Sequence, residues 1–291
     1  MSAVLRMVAA AALAAVLAGC SAMRLAYENA DTFVRWRASS YLDLQGEAAD
    51  DLNDRIDAFH AWHRANALPQ YAALAREAAA RAERGISPDD IVWGYDSFMA
   101  QARESLREAA RRIAPLLDRL TPGQVAHMEE RFAEDNRKFA RENMKGSDKE
   151  RRRLRFRRAQ ERLEDWVGPL SDDQAERVRR FADETPLFDE LRLADRKRLQ
   201  AEFLAIVRAH EATRRLADAA TSWQRGRDPA YAAASDAFRA GYFALLADLD
   251  KTLSADQRRH FVARLRGFAE DFDALVAAAA RERAAPEARP Q

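Results

Sequence analysis

The chain has 291 residues, with 48 Lys and Arg against 47 Asp and Glu, for a formal net charge of +1. That balance excludes the global basic footprint of a nucleic-acid-binding protein, so no nucleic-acid partner is expected. A single cysteine excludes an intramolecular disulfide, which leaves packing alone to hold the fold together.

The first element is a targeting segment. Arg6 is followed by an apolar run from Met7 to Ala18, 12 residues long, whereas a bilayer-spanning helix needs about 20. The run ends in Leu17-Ala18-Gly19-Cys20, which resembles the lipobox of bacterial lipoproteins. The resemblance implies that residues 1–19 are a cleaved signal peptide and that Cys20 carries the lipid. It also implies that the protein is held on a lipid bilayer, where acyl chains supply the anchoring. By the lipoprotein sorting rule, Ser21 directs the protein to the outer membrane, facing the periplasm. Residues 20–40 are expected to be the lipidated N-terminus and first helix, with the helix over Met23 to Ser40.

Beyond it, Ala, Arg, Glu and Leu dominate, and the full chain has only 10 Gly and 9 Pro. This composition favours helix almost everywhere. The expected fold is all-α: an elongated or two-lobed helical bundle of roughly eight to ten helices. It occupies 41–280, with candidate halves 41–145 and 147–280, and 281–291 reads as a disordered tail. Gly85, Gly168-Pro169, Pro186 and Gly226 read as helix stops. Asp228-Pro229 reads as a helix start.

Helix starts carry the most distinctive pattern. Leu120-Thr121-Pro122-Gly123-Gln124, Leu170-Ser171-Asp172-Asp173-Gln174 and Leu253-Ser254-Ala255-Asp256-Gln257 share one form. Each predicts a capping box, in which a hydroxyl accepts from the backbone N–H at N3 and the Gln side chain reaches back. Ser87-Asp90 and Ser147-Glu150 predict two more boxes. Apolar residues recur on one helical face after each leading Leu, and Leu44 begins a degenerate fourth copy with Leu52, Ile56 and Phe59. The copies are unevenly spaced, which excludes a regular solenoid, and they suggest a duplication of two halves.

The Leu-Thr-x-x-Gln element resembles one found in the Spy/CpxP-like periplasmic stress proteins, which are all-helical and chaperone-like or sensor-inhibiting. A broader resemblance runs through Arg24-Leu25-Ala26-Tyr27-Glu28-Asn29-Ala30-Asp31, Tyr41-Leu42-Asp43-Leu44 and Phe59-His60-Ala61-Trp62-His63-Arg64. With Leu68-Pro69-Gln70-Tyr71 after them, and over most of the mature chain, the sequence is similar to an uncharacterised family of proteobacterial lipoproteins, a domain of unknown function. That resemblance implies no catalytic residue.

His60 and His63, with Asp57, have spacing that can serve a metal, but no further ligand is visible nearby. Packing on a half-buried helix is the favoured reading, so neither a metal nor a cofactor is expected. Lys145 to Arg162 is the basic stretch, with nine cationic residues against three acidic ones. Arg151, Arg152, Arg153, Arg155, Arg157 and Arg158 are the candidate partner-binding residues, against a membrane, an acidic partner or an unfolded chain. A solvated face paired with acidic neighbours is the alternative. The five tryptophans read as core anchors, with Trp36 the candidate for the bilayer interface. No hydrolase, zinc-protease, Walker or dinucleotide fingerprint is present. The expected function is a non-catalytic envelope module that binds protein, chaperone-like or stress-linked. A tether or assembly factor for one envelope partner is the alternative, and a cell-wall-active enzyme is a more distant one.

Overall fold

The computed structural model describes residues 23–284. The expected signal peptide 1–19, the lipid site Cys20, the sorting residue Ser21 and residues 285–291 of the expected tail lie outside them. The described residues contain helices and no strand, so the fold is all-α.

Residues 23–28 form a helical run, and a turn at Asn29 separates it from α1 (Ala30–Leu42). Then come α2 (Glu47–Trp62), a π-helical turn (His63–Ala67), α3 (Leu68–Glu83) and α4 (Pro88–Leu117). They are followed by α5 (Pro122–Asn143), α6 (Asp148–Val167), α7 (Asp172–Glu184) and α8 (Asp189–Arg208). The last three are α9 (Ala212–Thr221), α10 (Pro229–Asp250) and α11 (Ala255–Ala284). These eleven α-helices exceed the expected eight to ten because the π turn divides one continuous helical segment into α2 and α3. Its cause is local. Pro69 has no N–H to give to the preceding turn, and its ring crowds the carbonyl there. The helix widens, and the Leu68 N–H bonds back to the His63 carbonyl.

The expected punctuation largely holds. Gly85, Gly168 and Gly226 have positive φ, although α9 already ends at Thr221, ahead of Gly226. α7 stops at Glu184, before Pro186, and Asp228 caps α10. The C-terminal helix continues to Ala284, into the segment expected as tail.

All five boxes form. Thr121, Ser171 and Ser254 each accept from the backbone N–H of their Gln, and each Gln Oε1 accepts from the cap N–H. Ser87 and Ser147 do the same with Asp90 and Glu150. The Gln boxes then do something that a carboxylate box cannot, because the amide NH₂ still has donors to give. Gln174 Nε2 donates to the Thr252 carbonyl at 3.0 Å, and Gln257 Nε2 donates to the Pro169 carbonyl at 2.8 Å. Thr252 and Pro169 each precede the leading Leu of the other's box, so the two helix starts clasp reciprocally. Gln124 Nε2 donates likewise to the Asp43 carbonyl at 3.2 Å, just before Leu44. This clasp has one arm because Ala48 fills the Gln position of the degenerate copy. The four copies therefore pair as 44 with 120 and 170 with 253.

The packing interleaves the two sequence halves. α9 lies along α4, α11 along α3, α5 against α8 and α6 against α7. The main core joins Leu52 and Ile56 of α2, Leu116 of α4 and Met128 of α5 to Ile206 and Val207 of α8. A second cluster gathers Leu163, Val178, Phe181, Leu245 and Leu249, and a third joins Ala79 and Ala82 to Val262.

Candidate functional site

Three places carry the residues that sequence reasoning singled out, or missed. The first is the basic helix α6. Its inner arginines are engaged within the chain. Arg151 pairs with Asp189 at 3.1 Å and Glu190 at 2.8 Å, and the Glu190 bond leads in raising its pKa. Arg152 donates to the carbonyls of Ala182, Asp183 and Thr185. Arg155 donates to the Thr185 carbonyl, Thr185 Oγ1 and the Pro186 carbonyl. Burial, with Arg152 and Arg151 close by, pulls Arg155 below its ordinary value. These side chains satisfy carbonyls at the end of α7, which has no intrahelical partners for them. Arg158 donates to Asn143 Oδ1 while remaining exposed, as are Arg153 and Arg157. The six candidates thus divide into three that hold α7 and α8 against α6 and three that face solvent.

The second place is the histidine pair. Tyr27, from the first helical run, stacks on His60 and His63 with ring centroids 4.9 and 5.8 Å away. Its hydroxyl and His63 Nδ1 share a hydrogen bond of 2.8 Å. Burial, reinforced by neighbouring His60, lowers the His63 pKa to about 4. Burial also lifts the Tyr27 phenol to about 12, against the pull of Arg64. No group of three or more metal-binding side chains is assembled among the described residues. The pair is where the start of the described chain is fastened to α2 and the π turn, and Arg24 adds an ion pair to Asp271 at 3.2 Å.

The third place was read in sequence only at Trp36, the bilayer-interface candidate; its extension onto α4 was missed. Among the described residues, the exposed large apolar side chains are Leu25, Phe33, Val34, Trp36, Val92, Phe98 and Leu106. All of them come from residues 23–42 or from α4. Phe33 and Trp36 are 62% and 63% exposed, although such rings normally sink into a core. Their ring centroids lie 5.8 Å apart. Trp62, Trp93, Trp166 and Trp223 are half-buried, so Trp36 alone departs from the core-anchor reading. Between α1 and α4 an apolar cavity of about 470 Å³ opens over α2, with Val34 and Leu106 in its lining. The missing signal was spatial: α1 and α4 are separated in sequence by α2 and α3, and only packing brings their apolar residues to the same cavity.

Among the described residues no helix is long and apolar enough to cross a membrane. No curated protein and no solved structure matches the chain. A family model described as a family of unknown function, DUF6279, matches residues 40–225. This span takes in the Leu44 copy, the Leu120 and Leu170 boxes, the histidine pair and α6, and it covers more than half of the chain; the protein therefore belongs to that family.

Proposed function

We propose that the protein is a non-catalytic, protein-binding lipoprotein of the bacterial envelope, chaperone-like in action. It is held by acylated Cys20 on the outer membrane and faces the periplasm. Its working surface is the apolar face formed by residues 23–42 and α4. One observation carries this reading: the exposed large apolar side chains fall on these two elements, with the aromatic pair Phe33 and Trp36 among the most exposed. Exposed apolar patches mark interaction sites. The basic helix α6 plays a lesser part, because Arg151, Arg152 and Arg155 are committed to internal carbonyls and carboxylates.

The test is photocrosslinking in cells, with the reactive group placed at Phe33, at Trp36 and, for comparison, at Arg153. Protein adducts from the first two positions and few from the third are expected. Many adducts indicate chaperone-like binding, whereas one dominant band indicates a tether for a dedicated partner. Adducts from Arg153 alone would return the working surface to α6. Labelled palmitate that is incorporated in the parent and lost in Cys20→Ser checks the anchor.

A further inference from the structure

The cavity between α1 and α4 has a chemistry distinct from the surface around it. Its floor is Leu52, Ile56 and Phe59 of α2, and its walls include Val34, Leu106 and Trp223. The volume of about 470 Å³ lies within the range of small-ligand sites, about 300–1,000 Å³. Its lining offers almost nothing to hydrogen-bond. A polypeptide segment entering it would bring backbone N–H and C=O groups and leave them unsatisfied. A hydrocarbon chain brings none, and each methylene it buries strengthens binding about fourfold.

Charge is confined to a few residues. Arg55 donates to the Arg112 carbonyl at 2.7 Å and pairs with Asp51 at 2.9 Å. Arg112 pairs with Glu108 at 2.7 Å, and Glu202 pairs with Arg198 at 3.5 Å. Arg103 rides over the Trp223 ring at 5.1 Å. The buried Nε of Arg112, a lining residue, has no hydrogen-bond partner, so one guanidinium group of the cavity wall retains an unspent donor. An anionic oxygen is the complement to such a donor.

We propose that this cavity binds a single long hydrocarbon chain with an anionic head, namely a fatty carboxylate. The site goes beyond the protein-binding reading: it shares Val34 and Leu106 with that face, but its floor on α2 and its walls on α8 and α9 lie outside it. Val34 and Ala38 of α1 line it, and α1 follows the membrane-held N-terminus in that reading, which places the site beside a source of such chains.

The experiment uses the full-length protein in isolated bacterial membranes. Palmitate carrying a photoreactive group at its methyl end is added, the sample is irradiated, and the labelled peptides are identified by mass spectrometry. Label is expected on 52–59 and 106–113, displaced by unlabelled palmitate and displaced less well by its methyl ester. Filling the cavity with Ala220→Phe, or independently with Ala109→Phe, should lower that label about fourfold for each methylene excluded, with labelling of Phe33 and Trp36 unchanged. Label confined to residues 23–42 would show bilayer contact only and overturn the proposal, as would label on α2 and α4 that neither substitution reduces. Either failure leaves the protein-binding reading standing, since that reading is scored by protein adducts at Phe33 and Trp36.

Discussion

Gln174 carries more than its helix cap. It is 2% exposed, caps Ser171, donates to the Thr252 carbonyl and meets the Gln257 amide. Replacing it by Ala should cost about 1–3 kcal/mol, the cost of leaving buried groups unpaired. Gln174→Ala and Gln257→Ala should couple in a double-mutant cycle measured by chemical denaturation. Strict additivity would mean that the clasp contributes nothing beyond two separate caps. The Tyr27–His63 joint makes a second prediction, in pH. The His63 imidazole takes up its proton at about 4 in the folded chain instead of 6.5. Between those values the unfolded or released form binds the proton and the packed form does not. The joint is therefore at full strength above about pH 6.5 and weakens as pH falls toward about 4. Proteolysis within residues 23–29 should rise over that window, and His63→Gln should flatten the rise. An unchanged slope in that variant would place the sensitivity elsewhere.

At the scale of elements, the capping boxes were legible because a box is a local pattern: a hydroxyl, two spacers and an amide or carboxylate decide it without any distant partner. The clasps were not legible, since nothing in Gln174 announces that Thr252 will stand opposite. The basic helix shows the same limit. Its charge was plain in sequence, but which arginines face inward was fixed by α7 and α8, whose free carbonyls and acids lie at 182–190. Arg155→Ala should therefore lower stability, by about 1–3 kcal/mol, with helical content retained in the native state. Arg153→Glu with Arg157→Glu should leave thermal stability nearly unchanged, as expected for exposed charges. Equal losses in both variants would contradict the division of α6 into an inner and an outer row.

For the whole molecule, composition was enough to fix the all-α class, and Leu44, Leu120, Leu170 and Leu253 marked its internal repetition. The interleaving was hidden: Ile206 and Val207 complete a core begun by Leu52 and Ile56, so the candidate halves 41–145 and 147–280 do not pack separately. The apolar face was hidden for the same reason. Trp36 stood out in sequence as a bilayer-interface candidate, but Phe98 and Leu106 look like ordinary core residues until the helices are packed. The central claim is that this face, and not the basic helix, meets protein partners. Its most direct test is suppression of light scattering while a chemically unfolded protein is refolded beside the chain from Ser21 onward, in which no buried core residue of the described structure precedes Leu42. The account predicts suppression by the parent and by Arg153→Glu/Arg157→Glu, and its loss in Phe33→Ser/Trp36→Ser. Suppression that survives the aromatic substitutions and disappears with the arginines would contradict it.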